Sequence, residues 1–363
     1  MAGLYCSKSA LQEARVSLPI FSIRHTRGRG LAAFLLLLVL LAGAGGWLYV
    51  DYSRFADAPL APLVEAKSLE IPLGTALPGI LHELERQGVR TGSAIYWRVL
   101  ARQMGVAGKL HAGEYSLLPG TSPRALLAKL AAGDVVQHHF TIVEGWTFAQ
   151  LREALSHDEG LRPTLAGIDD AALMRELGAA DTPAEGWFLP ETYSFVKGMS
   201  DFDILKRAHD DMRKLLERLW SQRPQDLPLD SPYQLLTLAS IVEKETAQPA
   251  ERAQIAAVFL HRLRIGMRLQ TDPAVIYGLG ARYDGRIHKR DLDEDTPYNT
   301  YTRAGLPPTP IALPGRAALE AVVHPAPTDA LYFVARGDGT HEFSASLDAH
   351  NRAVAKYQLH ANP

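Results

Sequence analysis

The sequence predicts an α+β protein: an N-terminal transmembrane helix, a small βα subdomain, and a larger mixed α+β domain of helices joined by long loops. Three observations lead there. A charge-free apolar run, Leu31–Val50, stands near the N-terminus. A short unit of strand, glycine, hydroxyl and helix occurs three times before residue 156. Beyond residue 181, helical periodicity alternates with polar-aromatic stretches rich in proline and glycine. The chain has 363 residues, 47% of them hydrophobic, enough to bury one large core or two ordinary ones.

Residues 1–30 are expected to be cytoplasmic, 31–50 to span the membrane and 51–66 to form a linker. A helix needs roughly 20 apolar residues to cross the hydrocarbon core, which the run supplies. Arg15, Arg24, Arg27 and Arg29 precede it, and Asp51, Arg54 and Asp57 follow. The basic side stays in the cytoplasm, so the remainder is expected outside, in the periplasm of a cell with an inner membrane. Trp47 and Tyr49 suit the outer interface. The rival is a cleaved signal peptide with Ala42–Ala44 as its site, but the apolar run continues past it to Val50. The single cysteine, Cys6, lies on the cytoplasmic side. The exported part then has no thiol, so its stability comes from burial and cysteine catalysis is excluded. A net charge of −2 offers no basic footprint for nucleic acid.

The repeated unit occupies residues 67–155: "LEIPLGTALPGILHEL", "YSLLPGTSPRALLAKL" and "FTIVEGWTFAQLREAL". Gly74, Gly120 and Gly145 make the turns, and Thr75, Ser122 and Thr147 are placed to cap the helices. Leu77, Ile80, Leu81 and Leu84 fall on one helical face, and units this small are expected to pack on one another. The pattern resembles LysM modules, which bind glycans containing N-acetylglucosamine. A strand–Gly–Thr–helix turn is also a generic structural unit, so glycan contact and plain support both stand.

Residues 156–363 are expected to form the catalytic domain. "EGWFLPETYSF", Glu185–Phe195, reads as an irregular packed segment. Helices are predicted over Asp203–Trp220, Pro232–Thr246 (with Ser231 as N-cap and Pro232 in its first turn) and Ala250–Ile265, stopped by Gly266. "MRLQTDPAVIYGLG" and "TPYNTYTRAGLPPTPIALPG" are predicted loops, and Leu331–Val334 pairs with Thr340–Ser344 across the "RGDG" turn. The chemistry turns on Glu243 and Glu245, in the last turn of an apolar helix. Two residues apart on a helix point about 200° apart, so at most one is expected to face inward. "EKE" at a helix end is ordinarily a solvated face. A carboxyl against apolar walls at a cleft edge instead has a raised pKa and serves as a general acid. No HExxH, Cys–His cluster, G-x-S-x-G elbow or Walker loop occurs, and His138–His139 reads as a strand start. Loops rich in tyrosine, amide and hydroxyl groups, such as Gln270, Thr271 and Asn299, suit carbohydrate. Glu185 and Glu191 are further acidic candidates, better read as structural carboxylates, and Lys244 as a solvated charge.

"LASIVEKETA", "ERAQIAAVFLHRLRIGMRLQTDPAVIYGLG", "TPYNTYTRAGLPPTPIALPG", "AVVHPA" and "LYFVARGDGTHEFSASLDAHN" together resemble the endolytic murein transglycosylases, the MltG or YceG-like family, over roughly Gly186–Asn351. The resemblance implies that Glu245 is catalytic and Glu243 outward or structural. It implies a lyase that cleaves the β-1,4 bond between N-acetylmuramic acid and N-acetylglucosamine within nascent peptidoglycan strands, leaving a 1,6-anhydro ring. One carboxyl suffices, because the sugar's own 6-hydroxyl replaces water as nucleophile; neither metal nor cofactor is needed. Residue type, loop context and the resemblance assign Gln270, Thr271, Asp272, Tyr298, Asn299 and Tyr301 to substrate positioning and charge stabilisation. The implied partners are peptidoglycan strands, penicillin-binding proteins and, through residues 31–50, the membrane. Two alternatives stand beside this: a non-catalytic peptidoglycan-binding or cell-division scaffold, and a hydrolytic muramidase with Glu191 or Asp272 opposite Glu245.

Overall fold

The computed structural model describes residues 27–61 and 63–359. Cys6, Arg15, Arg24 and Pro62 lie outside them, as does most of the expected cytoplasmic segment. The chain divides into two compact bodies. One comprises residues up to 67 together with 76–110 and 117–132; the other comprises 68–75, 111–116 and 133 onward.

In the first body, α1 (Arg27–Asp57) is a continuous helix of 31 residues. From Gly30 it is long and apolar enough to cross a membrane, and none of its most apolar stretch is buried against protein. Its last turns change character. Ala56 is fully buried, Phe55 meets Trp97 edge-on at 5.6 Å, and Asp57 pairs with Arg124 at 2.7 Å. The expected linker at 51–66 therefore begins as helix, because Tyr52, Phe55 and Ala56 find apolar partners. Its other helices are α2 (Leu77–Arg86), α3 (Ala94–Gln103) and α4 (Pro123–Ala132); strands β1 (Lys67–Ile71) and β2 (Gly113–Leu117), which precede α2 and α4 in the chain, fall almost wholly in the other body. Ile80, Leu81 and Leu84 of α2, Trp97 and Leu100 of α3, and Leu126, Leu127 and Leu130 of α4 form the core.

β1 pairs with β2 in a two-stranded sheet. The third βα unit does not join that sheet. Its strand, β3 (His138–Thr141), pairs antiparallel with β4 (Thr192–Phe195), and its helix, α5 (Phe148–Ser156), packs with the second body. The helices of the first two units thus fall in the first body, and the third unit falls wholly in the second. A two-residue period shows that a strand has two faces but not which strand it pairs with. Gly74, Gly120 and Gly145 all have positive φ, as the repeated turn requires. Ser122 and Thr147 cap their helices, the latter in a reciprocal capping box with Gln150. Thr75 does not: Ala76 occupies the N-cap of α2.

The second body continues with α6 (Asp170–Glu176), α7 (Asp201–Gln222), α8 (Pro232–Glu245), α9 (Arg252–Arg264), α10 (Asp272–Leu279), α11 (Lys289–Asp293), α12 (Arg316–Val323), the hairpin β5 (Tyr332–Ala335) and β6 (His341–Ser344), and α13 (Leu347–Val354). α8 starts where Ser231 accepts a hydrogen bond from the Gln234 amide, with Pro232 behind it. Every residue from Leu235 to Val242 is buried, walled in by α7, α9 and α12. "DPAVIYGL", expected as loop, is the helix α10. Asp272 and Pro273 open its first turn, and tertiary packing outweighs the weak helix propensity of valine, isoleucine and glycine. The segment from Glu294 to Gly315 is irregular, as expected.

Leu238 is wholly enclosed at the centre of α8. Leu238→Ala is expected to cost about 2–5 kcal/mol, read by denaturant unfolding.

Candidate active site

Because α8 is buried all round, the 200° between Glu243 and Glu245 sends them into two different interior environments. Sequence reasoning allowed one inward carboxylate; both are sequestered. Glu243, with a side chain only 5% exposed, accepts from Arg252 Nη2 at 3.2 Å and from the Gly315 amide at 2.9 Å. It ties the start of α9 to the start of α12, which is structural work. Lys244 between them is exposed and donates to the Gly145 carbonyl at 3.2 Å.

Glu245 faces a cavity of about 530 Å³. Its carboxyl is packed round by protein atoms, and that burial pushes its pKa up to about 7. The Thr271 hydroxyl counteracts the rise by donating to Oε1 at 2.5 Å; the charge of Asp272 adds to it. Among the described residues no protein group donates to Oε2. One oxygen is therefore held and the other left to carry a proton.

Two loops present the opposing groups. Thr271 and Thr300, both buried, lock together: the Thr271 amide donates to Thr300 Oγ1 at 2.9 Å, and the Gln270 amide donates to the Thr300 carbonyl at 3.2 Å. Gln270 pays in backbone strain, with φ at +48°. One residue further along each loop, the Tyr301 hydroxyl donates to Asp272 Oδ1 at 2.6 Å. Burial, then the acids Asp272 and Glu245, raise the Tyr301 pKa, so it remains a neutral donor.

Of the six residues assigned to substrate positioning, Gln270, Asp272 and Tyr301 line the Glu245 cavity, and Thr271 holds Glu245 itself. Tyr298 and Asn299 are not brought there. Asn299 is buried, donates to the carbonyls of Asp291, Leu292 and Glu294, and accepts from the Tyr301 amide. It shapes the loop that carries Tyr301. Tyr298 and Glu185 line a different cavity, and exposed Glu191 lines a third.

Several lining residues escaped sequence reasoning. Arg262 is 7% exposed and forms no ion pair with a carboxylate among the described residues. It donates to the carbonyls of Leu331 at 2.7 Å and Leu269 at 2.6 Å, and its guanidinium lies 5.4 Å from the centre of the Tyr332 ring. Burial lowers its pKa, while the negative charge of Glu245 raises it. A signal did exist. Arg262 follows Ile255, Val258 and Phe259 at helical spacing, so a guanidinium sits on the apolar face of α9. Tyr332, His341 and His350 form the far wall. His350 stacks on Tyr332 at 5.1 Å, its Nδ1 enclosed without a partner among the described residues; His341 is held by Glu251 at 2.7 Å. Among the described residues no group of three or more His, Cys, Asp and Glu is placed to hold a metal ion.

The raised pKa of Glu245 carries a stability signature. Between its ordinary value of 4.5 and about 7, the unfolded chain has released this proton and the folded chain has not. Folding stability therefore falls as pH rises through that window, by up to a few kcal/mol. Glu245→Gln removes this contribution while Glu185, common to both proteins, remains. Its melting temperature is expected to match wild type near pH 4 and to exceed it increasingly towards pH 7, read by calorimetry.

Comparison with known proteins places this arrangement in a family. The model described as the YceG-like family matches residues 69–356. An endolytic murein transglycosylase of Bacillus subtilis is 32% identical over 308 residues, covering 80% of this chain and 84% of that protein. One from Streptococcus pneumoniae D39 is 29% identical, covering 90% of this chain and 64% of its own. The crystal structure of a YceG-like protein from Listeria monocytogenes superposes with a TM-score of 0.50 at 30% identity, over 79% of this chain and 99% of that one. With a family match over most of its length, and relatives named endolytic murein transglycosylase at about 30% identity, this chain belongs to the YceG-like family.

Proposed function

We propose that this protein is a membrane-anchored lytic transglycosylase that cleaves nascent peptidoglycan strands internally, at the β-1,4 bond between N-acetylmuramic acid and N-acetylglucosamine. The observation that carries the reading is one buried carboxyl, Glu245, with a pKa near neutrality, facing a cavity with one oxygen held by Thr271. Protonated Glu245 gives its proton to the glycosidic oxygen as the bond from C1 breaks. The carboxylate left behind takes the proton of the 6-hydroxyl as that oxygen bonds to C1, closing the 1,6-anhydro ring. The proton balance returns Glu245 to its starting form, and water is not consumed. Arg262, buried without an acid partner among the described residues, offsets the negative charge that exists only between the two steps. Asp272 and Tyr301 contribute acceptor and donor groups for the substrate, with Gln270 beside them.

The apolar helix supports residence in the inner membrane, with the N-terminus cytoplasmic and the catalytic domain periplasmic. Association with penicillin-binding proteins follows from the reading, since those enzymes polymerise and cross-link the strands that it would cut. Asp272, in the same cavity as Glu245, favours one second reading, a muramidase in which it activates water.

Product mass separates them, on full-length protein in detergent with uncross-linked glycan strands. The expected products have anhydro ends, one water lighter than hydrolytic ends. Glu245→Gln should lower the rate by about a hundredfold or more, the contribution expected of a general acid, and Glu243→Gln should act through stability instead. Hydrated ends would move the mechanism to hydrolysis. Binding without cleavage by wild type would make the protein a scaffold.

Since Glu245 must start protonated, kcat/KM is expected to fall as pH rises through about 7. Arg262 lowers the pKa of Glu245, so Arg262→Met should move that alkaline limb to higher pH while reducing kcat.

A further inference from the structure

Glu185 and Tyr298, which sequence reasoning singled out, do not line the Glu245 cavity. They meet at a second cavity of about 530 Å³. Glu185 is 8% exposed and accepts from the Phe148 amide at 3.0 Å and from the Tyr277 hydroxyl at 3.2 Å. Tyr277 and Tyr298 pack edge to face at 5.0 Å, and the Tyr298 hydroxyl meets Thr309 Oγ1 at 2.9 Å. Gly278 permits this approach, since a Cβ there would stand 2.8 Å from that of Tyr298. Asp181, at φ +64°, and Arg175 also line the cavity. α10 links the two cavities. Asp272, at its start, lines the first, and Tyr277, five residues on, lines the second. Five residues are about 7.5 Å along a helix and about 140° round it, so the two hollows lie on different sides of α10.

We propose that the Glu185 cavity is a secondary saccharide-binding site, separate from the cleavage cavity, that holds a distant part of the same glycan strand; the proposal rests on the transglycosylase reading. The lining chemistry selects a neutral, hydroxyl-rich ligand. Two tyrosine rings offer apolar surface with polar edges, and Thr309 adds a hydroxyl. Of the charged lining groups, Asp170 is paired with Arg152 at 2.6 Å, and Arg175, Asp181 and Glu185 supply donors and acceptors of both signs, so a strongly anionic ligand is disfavoured. Burial pushes the Glu185 pKa up to about 7, so near neutrality this carboxyl can donate a hydrogen bond as a hydroxyl does. A strand long enough to engage both hollows gains from two tethered contacts, whereas a short fragment gains from one.

The test plugs the second cavity without touching the first. Ala171 on α6 and Ala149 on α5 are exposed residues lining it, so tryptophan at either position needs no buried space. Full-length Glu245→Gln protein in detergent, with and without Ala171→Trp or Ala149→Trp, is titrated with long peptide-free glycan strands and with a peptide-free tetrasaccharide. Either plug is expected to weaken binding of long strands roughly tenfold, about one lost favourable contact, and to leave the tetrasaccharide unchanged. In the active background, Ala171→Trp should raise KM for long strands and preserve kcat. Equal affinity for long strands with and without the plugs, in variants that melt as the parent does, overturns the second site. So does equal weakening for both ligands, which would place the plug's effect in the cleavage cavity. If wild type yields no anhydro ends, the transglycosylase reading fails whatever the plugs do; if it does and the plugs move nothing, only the second site fails.

Discussion

Desolvation of α8 governs the chemistry of this protein. The helix is buried on every side from Leu235 to Val242, so the two glutamates in its last turn cannot both reach water. A buried carboxylate needs donors or a cation, and otherwise keeps its proton. Glu243 has both Arg252 and the Gly315 amide; burial still outweighs them and raises its pKa. Glu245 has one hydroxyl, from Thr271, and stays protonated to near neutrality. The same helix thus makes one glutamate a structural tie and leaves the other protonated to near neutrality.

The loops around Glu245 are ordered from behind. Asn299 gathers three carbonyls and the Tyr301 amide, fixing the turn that delivers Thr300 and Tyr301 to Thr271 and Asp272. Gln270 accepts a left-handed backbone to make that meeting possible. The far wall comes from a different part of the chain, where Tyr332 lies close to both the Arg262 guanidinium and the His350 ring. The cavity thus has polar acceptors among its lining together with a buried cation and aromatic surface.

Much of the fold was legible. Ser231–Pro232 and Gly266 marked helix ends within a residue or two, since caps and stops are local chemistry. The glycine turns of the βα units were equally readable. Strand partners were not: β3 leaves the first two units for β4, and nothing within the span of a unit encodes that choice. α10 was missed because valine, isoleucine and glycine argue locally against a helix that the core stabilises.

The site divides along the same line. By itself the sequence determined which residue types were available: a glutamate closing an apolar helix, loops of tyrosine, threonine and amide, and a membrane-length apolar run. Those follow from composition and periodicity. Only the tertiary structure decided that Thr271 meets Glu245, that Arg262 lines the same cavity, and that Tyr298 lines the Glu185 cavity instead. Those outcomes depend on groups far apart in the chain becoming neighbours, and on how much water is removed when they do.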